Sequence, residues 1–334
     1  MSKSGQTTSA QATERLHRAV WRGMVGRQEF GVLLILLAMM TFLALYTDTF
    51  LKATNLSNIL RDFSWIAIAA FGECMVIITA GIDLSVGSLM GLSGLITGML
   101  FARQASIPVA VAGGMLTGLI VGLANGLMIT KGRLPPFIAT LGTYLMARGL
   151  CYGLSGGWPV RDLPTAFNNL GRGILPIGRF ELPLPAVFML VFAVCVSAYL
   201  SRTVWGYRIY AVGGNETAAG LSGINTHRVK IMVYSLAGFL SAVGGILMTA
   251  RLGVAAPTAG QGYELDVIAA AVVGGTSLMG GEGTILGALI GAFIMQVLRN
   301  GLVLTGVSAY WLQALQGFVI VVAIMLDQLR KRRR

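Results

Sequence analysis

Ionisable residues inside apolar runs are the first candidates for chemistry, because a charge at membrane depth is costly and usually faces a cavity or a partner. Glu73 lies in the middle of such a run, where a pathway role and a helix–helix hydrogen bond are equally supported. Asp83 follows Gly81 and stands close to Ser85. Because a carboxylate can accept from the free amides of a starting helix, Asp83 is predicted first as an N-cap and second as a pathway residue.

A later glycine-rich string, G-G-T-S-L-M-G-G at 274–281, echoes A-G-I-D-L-S-V-G at 80–87. Both strings follow a strongly apolar run and precede a glycine-rich one, and paired segments of this kind indicate a transport path. Glu282 is also predicted to cap the helix that follows. The candidates for the translocation path are therefore Glu73, Asp83, Ser85, Gly275, Ser277 and Glu282.

Enzymatic chemistry finds little support in the remaining residues. His17 and His227 are the only histidines, and both lie in polar segments, so neither can act as a base inside an apolar run. No lysine follows a glycine, which excludes a G-x-x-x-x-G-K-[ST] phosphate loop. Cys74, Cys151 and Cys195 lack the spacing of a metal site and are interpreted as packing residues. We predict no catalytic activity, no metal and no cofactor.

The longest polar interruption between apolar runs extends from Thr203 to Lys230. Asn215 is predicted as the N-cap of a short helix, Glu216 favours its first turn, and Gly223 can take the left-handed conformation that ends it. A helix of about two turns is unstable alone in water, so we expect it to dock on a partner. An ordinary capped loop helix without a partner is the alternative.

Composition places these residues in a membrane protein. The 334 residues are 55% hydrophobic and 11% charged, with a mean hydropathy of +0.75. Apolar runs long enough to span a bilayer recur along the chain. The net charge of +12 does not indicate nucleic-acid binding, because the basic residues gather at the ends of apolar runs. The fold class is therefore an all-α polytopic membrane protein.

Ten transmembrane helices are predicted, with both termini in the cytoplasm. This arrangement puts 16 of the 25 Lys and Arg residues inside and 8 outside, as the positive-inside rule requires. Arg148 lies within a helix, near its outer end, and either snorkels outward or lines the vestibule. The predicted helices lie near 30–46, 64–80, 87–102, 108–130, 135–154, 184–200, 231–250, 265–279, 284–298 and 311–327.

The predicted domains follow from this topology. Residues 1–29 form a basic cytoplasmic tail that lies partly on membrane lipid, 30–327 form one transmembrane domain, and 328–334 form a basic cytoplasmic tail. Glycines spaced four apart predict close helix contacts in two of the spans. These glycines are Gly114, Gly118, Gly122 and Gly126 in the fourth span, and Gly283, Gly287 and Gly291 in the ninth.

Four motifs resemble those of a known family. The string E-x-A-A-x-x-x-G from Glu216 to Gly223 resembles the loop by which permease subunits of ABC importers bind their ATPases, although Thr217 replaces the first alanine of the usual core. The longer string W-G-Y-R-I-Y-A-V-G-G-N-E-x-A-A-x-x-S-G-I-N resembles the ribose-type sugar permeases. So do G-I-D-L-S-V-G, P-P-F-I-A-T-L-G-T and G-G-x-S-L-x-G-G-x-G-T. The likeness extends from about Asn55 to Asp327.

The resemblance implies a homodimeric permease in the inner membrane that forms the path for a pentose or hexose. It also implies two partners, an ABC ATPase beneath the membrane and a periplasmic sugar-binding protein. Branched-chain amino acid permeases share related patterns, and a proton-coupled secondary carrier is the more distant alternative. The ATPase-coupling loop, residues 201–230, would use Gly214, Asn215, Glu216, Ala218, Ala219 and Gly223.

The outside loop 155–183 is too long for a tight turn and rich in proline, which predicts an ordered surface. With Asp62 and Glu264, expected on neighbouring loops, it is assigned to docking the binding protein. A plain connecting loop is the alternative. Its distinctive residues are Trp158, Pro159, Pro164, Phe167, Pro176 and Pro183.

Overall fold

The computed structural model describes residues 28–177 and 180–308, and eight further positions between 311 and 325. Helices make up almost all of the described chain, and one antiparallel hairpin is its only regular sheet. The elements are α1 (Gln28–Tyr46), α2 (Ala53–Ile78), α3 (Val86–Ala102), α4 (Ile107–Thr130), α5 (Pro136–Ser155), α6 (Thr165–Arg172), β1 (Ile174–Ile177), β2 (Phe180–Pro183), α7 (Leu184–Arg202), α8 (Val204–Gly214), α9 (Glu216–Leu221), α10 (Thr226–Leu252), α11 (Tyr263–Val273) and α12 (Ile285–Leu304).

Local sequence explains many of the helix ends. Prolines stand in the first turns of α4, α5 and α7, where the missing amide proton costs no hydrogen bond. Gly156 ends α5 with φ of +61° and Gly253 ends α10 with φ of +71°, a conformation that residues with a side chain avoid. The helix boundaries are therefore set largely by single residues at each end.

Two helices form the centre of the molecule. In α2 every residue from 63 to 78 is buried, and in α10 every residue from 240 to 250 is buried. Five described helices, α1, α4, α7, α10 and α12, are long and apolar enough to cross a membrane. Large apolar side chains remain exposed on the outer helices, among them Leu45 and Val194. This pattern confirms the predicted polytopic membrane fold.

Glycine faces bring the backbones of the central helices together as predicted. A Cβ atom at Gly118 would overlap the carbonyl oxygen of Gly238, and one at Gly122 would overlap that of Tyr234, so α4 and α10 pack with no room for side chains. In α12, Gly291 contacts the carbonyl of Ala270 in the same way. Glycines spaced four apart therefore do mark the close contacts between helices.

Each of the ten predicted helices coincides with helical residues, but several boundaries differ. The second predicted helix is part of the much longer α2, and the eighth ends at Val273 rather than 279 because the glycine-rich turn begins there. Gly283 is not on the ninth helix, since α12 is capped by Thr284. The described positions between 311 and 325 that follow the turn are helical. Of the predicted amino tail 1–29, residues 28 and 29 begin α1 and the rest lies outside the described residues, as does the predicted tail 328–334.

The segment 253–262, which precedes α11, is not helical: Ala255 forms a bridge and residues 257–262 form turns. Ala255 pairs with Val160 in an antiparallel bridge and contacts α3 near its end, whereas Gly260 contacts α3 at Gly87, in its first turn. The segment therefore runs along α3 for most of that helix. The 11 residues of α11 span only about 16 Å, roughly half of the ~30 Å hydrocarbon core of a bilayer.

Candidate coupling surface and transport path

The helices leave two ends at which the candidate residues collect. We call the end formed by residues 73–85, 204–234 and 274–284 the α8 end, and the end formed by residues 155–183 and 251–257 the α6 end. The candidate coupling residues and path residues both lie at the α8 end. The candidate docking loop lies at the α6 end.

The short helix predicted at Asn215 is present as α9, and its two caps are as expected. Asn215 Oδ1 accepts from the amide of Ala218 at 2.9 Å. Gly223 has φ of +83°, and the amide of Ile224 donates to the carbonyl of Ala219 at 3.0 Å, which closes a Schellman motif. Both predicted caps are therefore confirmed as local structure.

Most residues of α9 are exposed. Gly214, Asn215, Glu216, Ala218 and Gly223 are exposed, and Ala219 is the one buried member of the predicted coupling set. Leu221 is 87% exposed, although it is a large apolar residue. One ion pair ties the helix down: Lys230 Nζ lies 2.6 Å from Glu216 Oε2. The helix is thus fixed at its ends, while its outer face is open.

The preceding helix, α8, was not predicted. Thr203 caps it by accepting from the amide of Gly206 at 3.1 Å, and its buried face includes Ile209 and Val212. These residues, with Trp205 four positions before Ile209, have helical spacing, so the signal was present in the sequence. Arg208 lies over the Trp205 ring at 5.0 Å. The predicted loop is therefore a helical hairpin rather than a chain with one small helix.

Two close contacts join α8 to the candidate path. A Cβ atom at Gly213 would overlap the carbonyl oxygen of Ile78, so α8 lies directly on the end of α2. Tyr210 Oη donates to the carbonyl of Gly283 at 2.8 Å. Burial raises the pKa of the Tyr210 phenol to about 12, which keeps it a neutral donor at physiological pH. Helix α8 therefore contacts the chain at the turn that follows α2, residues 79–85, and at the turn that precedes α12, residues 274–284.

The first turn, 79–85, brings Glu73, Asp83 and Ser85 together. The amide of Asp83 donates to Glu73 Oε1 at 3.1 Å, and the amide of Ser85 donates to Asp83 Oδ1 at 2.8 Å. All three residues are fully buried. The prediction that Asp83 is the N-cap of the third helix is wrong, because Ser85 occupies that position and the Asp83 carboxylate closes the turn ahead of it.

A hydrogen-bond network extends from this turn to two further helices. Asn125 Nδ2 of α4 donates to Ser85 Oγ at 3.0 Å, and Thr143 Oγ1 of α5 donates to Asn125 Oδ1 at 2.5 Å. Neither Asn125 nor Thr143 was among the predicted path residues. A single asparagine within an apolar run was the available signal, since a polar amide at that depth needs a partner.

The second turn, 274–284, contains the other path candidates. Gly275 has φ of +96°, and the amide of Ser277 donates to the carbonyl of Glu282 at 3.0 Å. The predicted capping role of Glu282 is wrong, because its side chain is exposed and Thr284 caps α12 by accepting from the amide of Gly287 at 3.0 Å. Ser277 is buried within the turn.

The two turns lie against each other. The amide of Gly281 donates to the carbonyl of Ile78 at 2.9 Å, and Cys74 Sγ lies 3.3 Å from Thr276 Oγ1. The six path candidates therefore form two adjacent groups, with Glu73, Asp83 and Ser85 in one and Gly275, Ser277 and Glu282 in the other. The two strings that echo each other in sequence are neighbours in space.

At the α6 end, an arginine side chain binds the segment 253–262. Arg148 is buried, and its Nη1 donates to the carbonyls of Pro257 at 2.6 Å and Ala259 at 2.9 Å. It neither snorkels outward nor lies open to a vestibule. Arg172 makes a similar contact, donating from Nη2 to the carbonyl of Leu252 at 2.9 Å.

The predicted docking residues occupy different environments. Trp158 is 77% exposed, whereas Phe167 is fully buried on α6 and packs against Phe101, with ring centroids 4.8 Å apart. Asp62 and Glu264 were expected on loops, but Asp62 lies in α2 and Glu264 lies in the first turn of α11. The loop 155–183 is itself partly regular, since it contains α6 and the hairpin.

Comparison with known proteins identifies the family. Residues 55–324 match the family described as the branched-chain amino acid transport system permease component. The ribose import permease protein RbsC of Bacillus subtilis (strain 168) is 44% identical over 304 residues, which cover 90% of this chain and 93% of that protein. RbsC of Escherichia coli (strain K12) is 42% identical over 322 residues, covering 96% and 98%. No solved structure gives a significant match.

A third relative is the galactose/methyl galactoside import permease protein MglC of Escherichia coli (strain K12), 35% identical over 322 residues that cover 92% of this chain and 96% of that protein. Because the similarity extends over almost the full length of these proteins, the predicted family and fold are confirmed, and so is the prediction that the chain is a non-catalytic component. The chain belongs to the family of multi-pass membrane permease subunits of ABC importers.

Proposed function

We propose that this permease carries a monosaccharide, a pentose or a hexose, which a periplasmic binding protein delivers. The relatives with the most extensive similarity are named for the import of ribose and of galactose or methyl galactoside. The family description names branched-chain amino acids, which makes an amino acid the second candidate substrate. The identity of 42–44% to ribose permeases over at least 90% of the chain favours the sugar.

The α8–α9 hairpin is the docking surface for the ATPase. The observation that carries this assignment is the exposed face of α9, with Leu221 87% exposed on a helix whose two ends are capped. A helix of six residues has little stability of its own. Its caps and the pair between Glu216 and Lys230 pre-organise it, and pre-organisation lowers the entropy lost on binding a partner.

Coupling then proceeds through α8. The hairpin contacts Ile78 through Gly213 and contacts Gly283 through Tyr210, so it bears on both turns that contain the path candidates. When the ATPases close and separate, displacement of α8 shifts the ends of α2 and α12 together. A path that opens alternately to the two sides of the membrane follows from that shift.

The proposed orientation places the α8 end and both termini in the cytoplasm of a cell with an inner membrane, and the α6 end in the periplasm. The excess of basic residues in the segments on the α8 side supports it. Loop 155–183 with its exposed Trp158 then faces the binding protein. A second copy of the permease completes the path, as the resemblance to the ribose-type permeases implies.

Uptake measurements test the substrate. The permease is co-expressed with the ATPase and the binding protein encoded beside its gene, in cells that lack their own ribose, galactose and leucine importers. We expect ATP-dependent uptake of labelled ribose or galactose that is lost when the permease is omitted. Uptake of leucine without uptake of either sugar would contradict the proposal and establish the second candidate.

A further inference from the structure

Three oxygen atoms at the α8 end have no hydrogen-bond partner among the described residues: Glu73 Oε2, Asp83 Oδ2 and Tyr234 Oη. Glu73 and Asp83 are fully buried and Tyr234 is 1% exposed, so water at the surface cannot satisfy them. Tyr234 Oη lies against Gly81, where a Cβ atom would overlap it, which places the phenol beside the turn that contains Asp83. Buried polar atoms are nearly always bonded, so a ligand is expected here.

The charges in this group are not balanced by the chain. Each of the two carboxyls interacts electrostatically with Tyr234, and Glu73 also with Asp83, but no described basic side chain acts on either carboxyl. Cys74 is the other titratable group that interacts with Glu73, and a thiol supplies no positive charge. Two neighbouring carboxylates cannot both stay ionised in an apolar interior without a compensating cation.

The helices packed around the group offer only neutral partners. Asn125 of α4 donates its amide to Ser85 Oγ and also interacts with the Asp83 carboxyl, and Thr143 of α5 adds a hydroxyl through Asn125. Asp83 Oδ1 accepts from both the amide and the hydroxyl of Ser85, at 2.8 and 2.5 Å, which stabilises an ionised Asp83. Glu73 accepts only one amide, so it has fewer donors than Asp83 to stabilise a negative charge.

We propose that Glu73, Asp83 and Tyr234 form a binding site for one monovalent cation, a proton or Na⁺. A single positive charge brings the net charge of the pair to −1, and the bonds from Ser85 stabilise that remaining charge on Asp83.

The position of the site gives it a consequence for transport. It joins α2, the turn 79–85 and α10, and the same turn lies against the glycine-rich turn at Gly280, where a Cβ atom would crowd Ala80 Cβ at 2.9 Å. Occupancy therefore determines how firmly the turn beneath α8 is held. The inference depends on this geometry alone and does not require the substrate to be a sugar.

The test uses the purified full-length permease in detergent. Unfolding is followed with a thiol-reactive fluorescent dye, which reports the exposure of the buried Cys74 and Cys151. Three proteins are compared: wild type, Glu73→Gln and the control Asp48→Asn, whose carboxyl is exposed. The comparison is made at about pH 6 and about pH 8.5, below and above the usual pKa of histidine. Each is measured in choline chloride and in sodium chloride of equal ionic strength.

If a proton is bound, the folded protein holds a proton that the unfolded chain releases above about pH 4.3, so stability falls as the pH rises. The unfolding midpoint of wild type and of Asp48→Asn should then drop by about 3 °C or more between the two pH values in choline, and that of Glu73→Gln should not. If Na⁺ is bound, sodium should raise the wild-type midpoint at the higher pH, again only while Glu73 is present.

Equal responses to pH and to sodium in wild type and Glu73→Gln would overturn the proposal. If Glu73→Gln does not fold, infrared spectroscopy of the wild type and of Asp83→Asn replaces it. A carboxylic-acid C=O band that persists at the higher pH in choline and changes in Asp83→Asn supports a bound proton, and its loss on adding sodium supports Na⁺. A wild type with no such band and no response to sodium has no cation site.

Discussion

The two ends of the helical bundle are joined in different ways. At the α8 end, backbone meets backbone: the amide of Gly281 bonds the carbonyl of Ile78, and Gly213 leaves no space for a side chain against that same carbonyl. At the α6 end, long side chains are added to backbone contacts: Val160 and Ala255 form a bridge, and Arg148 and Arg172 reach the carbonyls of Pro257 and Leu252. Two backbones in direct contact must move together, whereas an arginine side chain can break its hydrogen bonds by changing rotamer.

Under the proposed orientation, the rigid joint faces the ATPase and the releasable contacts face the binding protein. This division suits an importer, because force enters at the cytoplasmic side and the opposite side must open to receive substrate. Substitutions at each end should therefore fail differently. Those at the α8 end should uncouple transport, and those at the α6 end should change stability and the response to the binding protein.

Gly213→Ala should have the largest effect. The new Cβ atom overlaps the carbonyl of Ile78, and overpacking of this kind costs about 1–3 kcal/mol. We expect uptake to fall by about fivefold or more, since 1.4 kcal/mol is a factor of ten in an equilibrium. Gly149→Ala, in α5 and outside the hairpin, is the matched control, because nothing lies within 4 Å of its Cβ position. Equal uptake by the two variants, at equal membrane levels, would show that α8 does not bear on α2.

Arg148→Ala should follow, with an effect on stability as well as on uptake. Its loss leaves the carbonyls of Pro257 and Ala259 without their charged donor. Hydrogen bonds to charged groups contribute about 1.5–3 kcal/mol. We expect a lower unfolding midpoint and weaker stimulation of the ATPase by the loaded binding protein. Arg148→Lys should recover part of the stability. An unchanged unfolding midpoint in Arg148→Ala would mean that other contacts hold the segment 253–262 in place.

Gly223→Val should impair communication with less effect on folding. Its φ of +83° costs a residue with a side chain about 1–2 kcal/mol, more for a branched one, and the chain toward Ile224 would be redirected. Because the position is exposed and outside the bundle, insertion and dimer formation should be near normal while uptake and co-purification of the ATPase drop. Normal values for both would leave α9 as a connector.

Glu216→Ala should have the smallest effect. Glu216 pairs with Lys230 of the same chain, and both side chains are accessible to water, 49% and 19% respectively. Exposed pairs contribute about 0.2–1 kcal/mol, so uptake should fall by no more than about fivefold. The variant Lys230→Ala should show a similar loss, and exchanging the two residues should restore part of it. A loss as large as that of Gly213→Ala would mean that Glu216 pairs with the ATPase rather than with Lys230.

Sequence alone could predict what depends on neighbouring residues. The apolar runs fixed the position of each long helix, and the caps of α9 at Asn215 and Gly223 could be predicted because capping is a local interaction. The cap of α3 was misassigned to Asp83, since a carboxylate two residues before Ser85 satisfies the same composition rule. The local sequence pattern therefore predicts that a helix is capped more reliably than it predicts which polar residue is the cap.

Long-range contacts explain what could not be predicted. Arg148 bonds residues 109 and 111 positions away, and the network of Asn125 links α3, α4 and α5. Helix α11 begins only after segment 253–262, which lies along the glycines of α3. No local sequence pattern shows this contact. Helix α8 was missed although its apolar spacing was visible, because the surrounding segment is polar. These features depend on which helices become neighbours.

Site-directed labelling tests the central claim most directly, which is that α8 and α9 dock the ATPase on the cytoplasmic side. Thr217, exposed on α9, is replaced by Cys in a Cys195→Ala background, and Trp158→Cys serves as the counterpart at the α6 end. A membrane-impermeant maleimide should label Thr217→Cys in inside-out vesicles, and bound ATPase should protect it. The same reagent should label Trp158→Cys only from the periplasmic side. Labelling of Thr217→Cys from the periplasmic side, or equal labelling with and without the ATPase, would contradict the account.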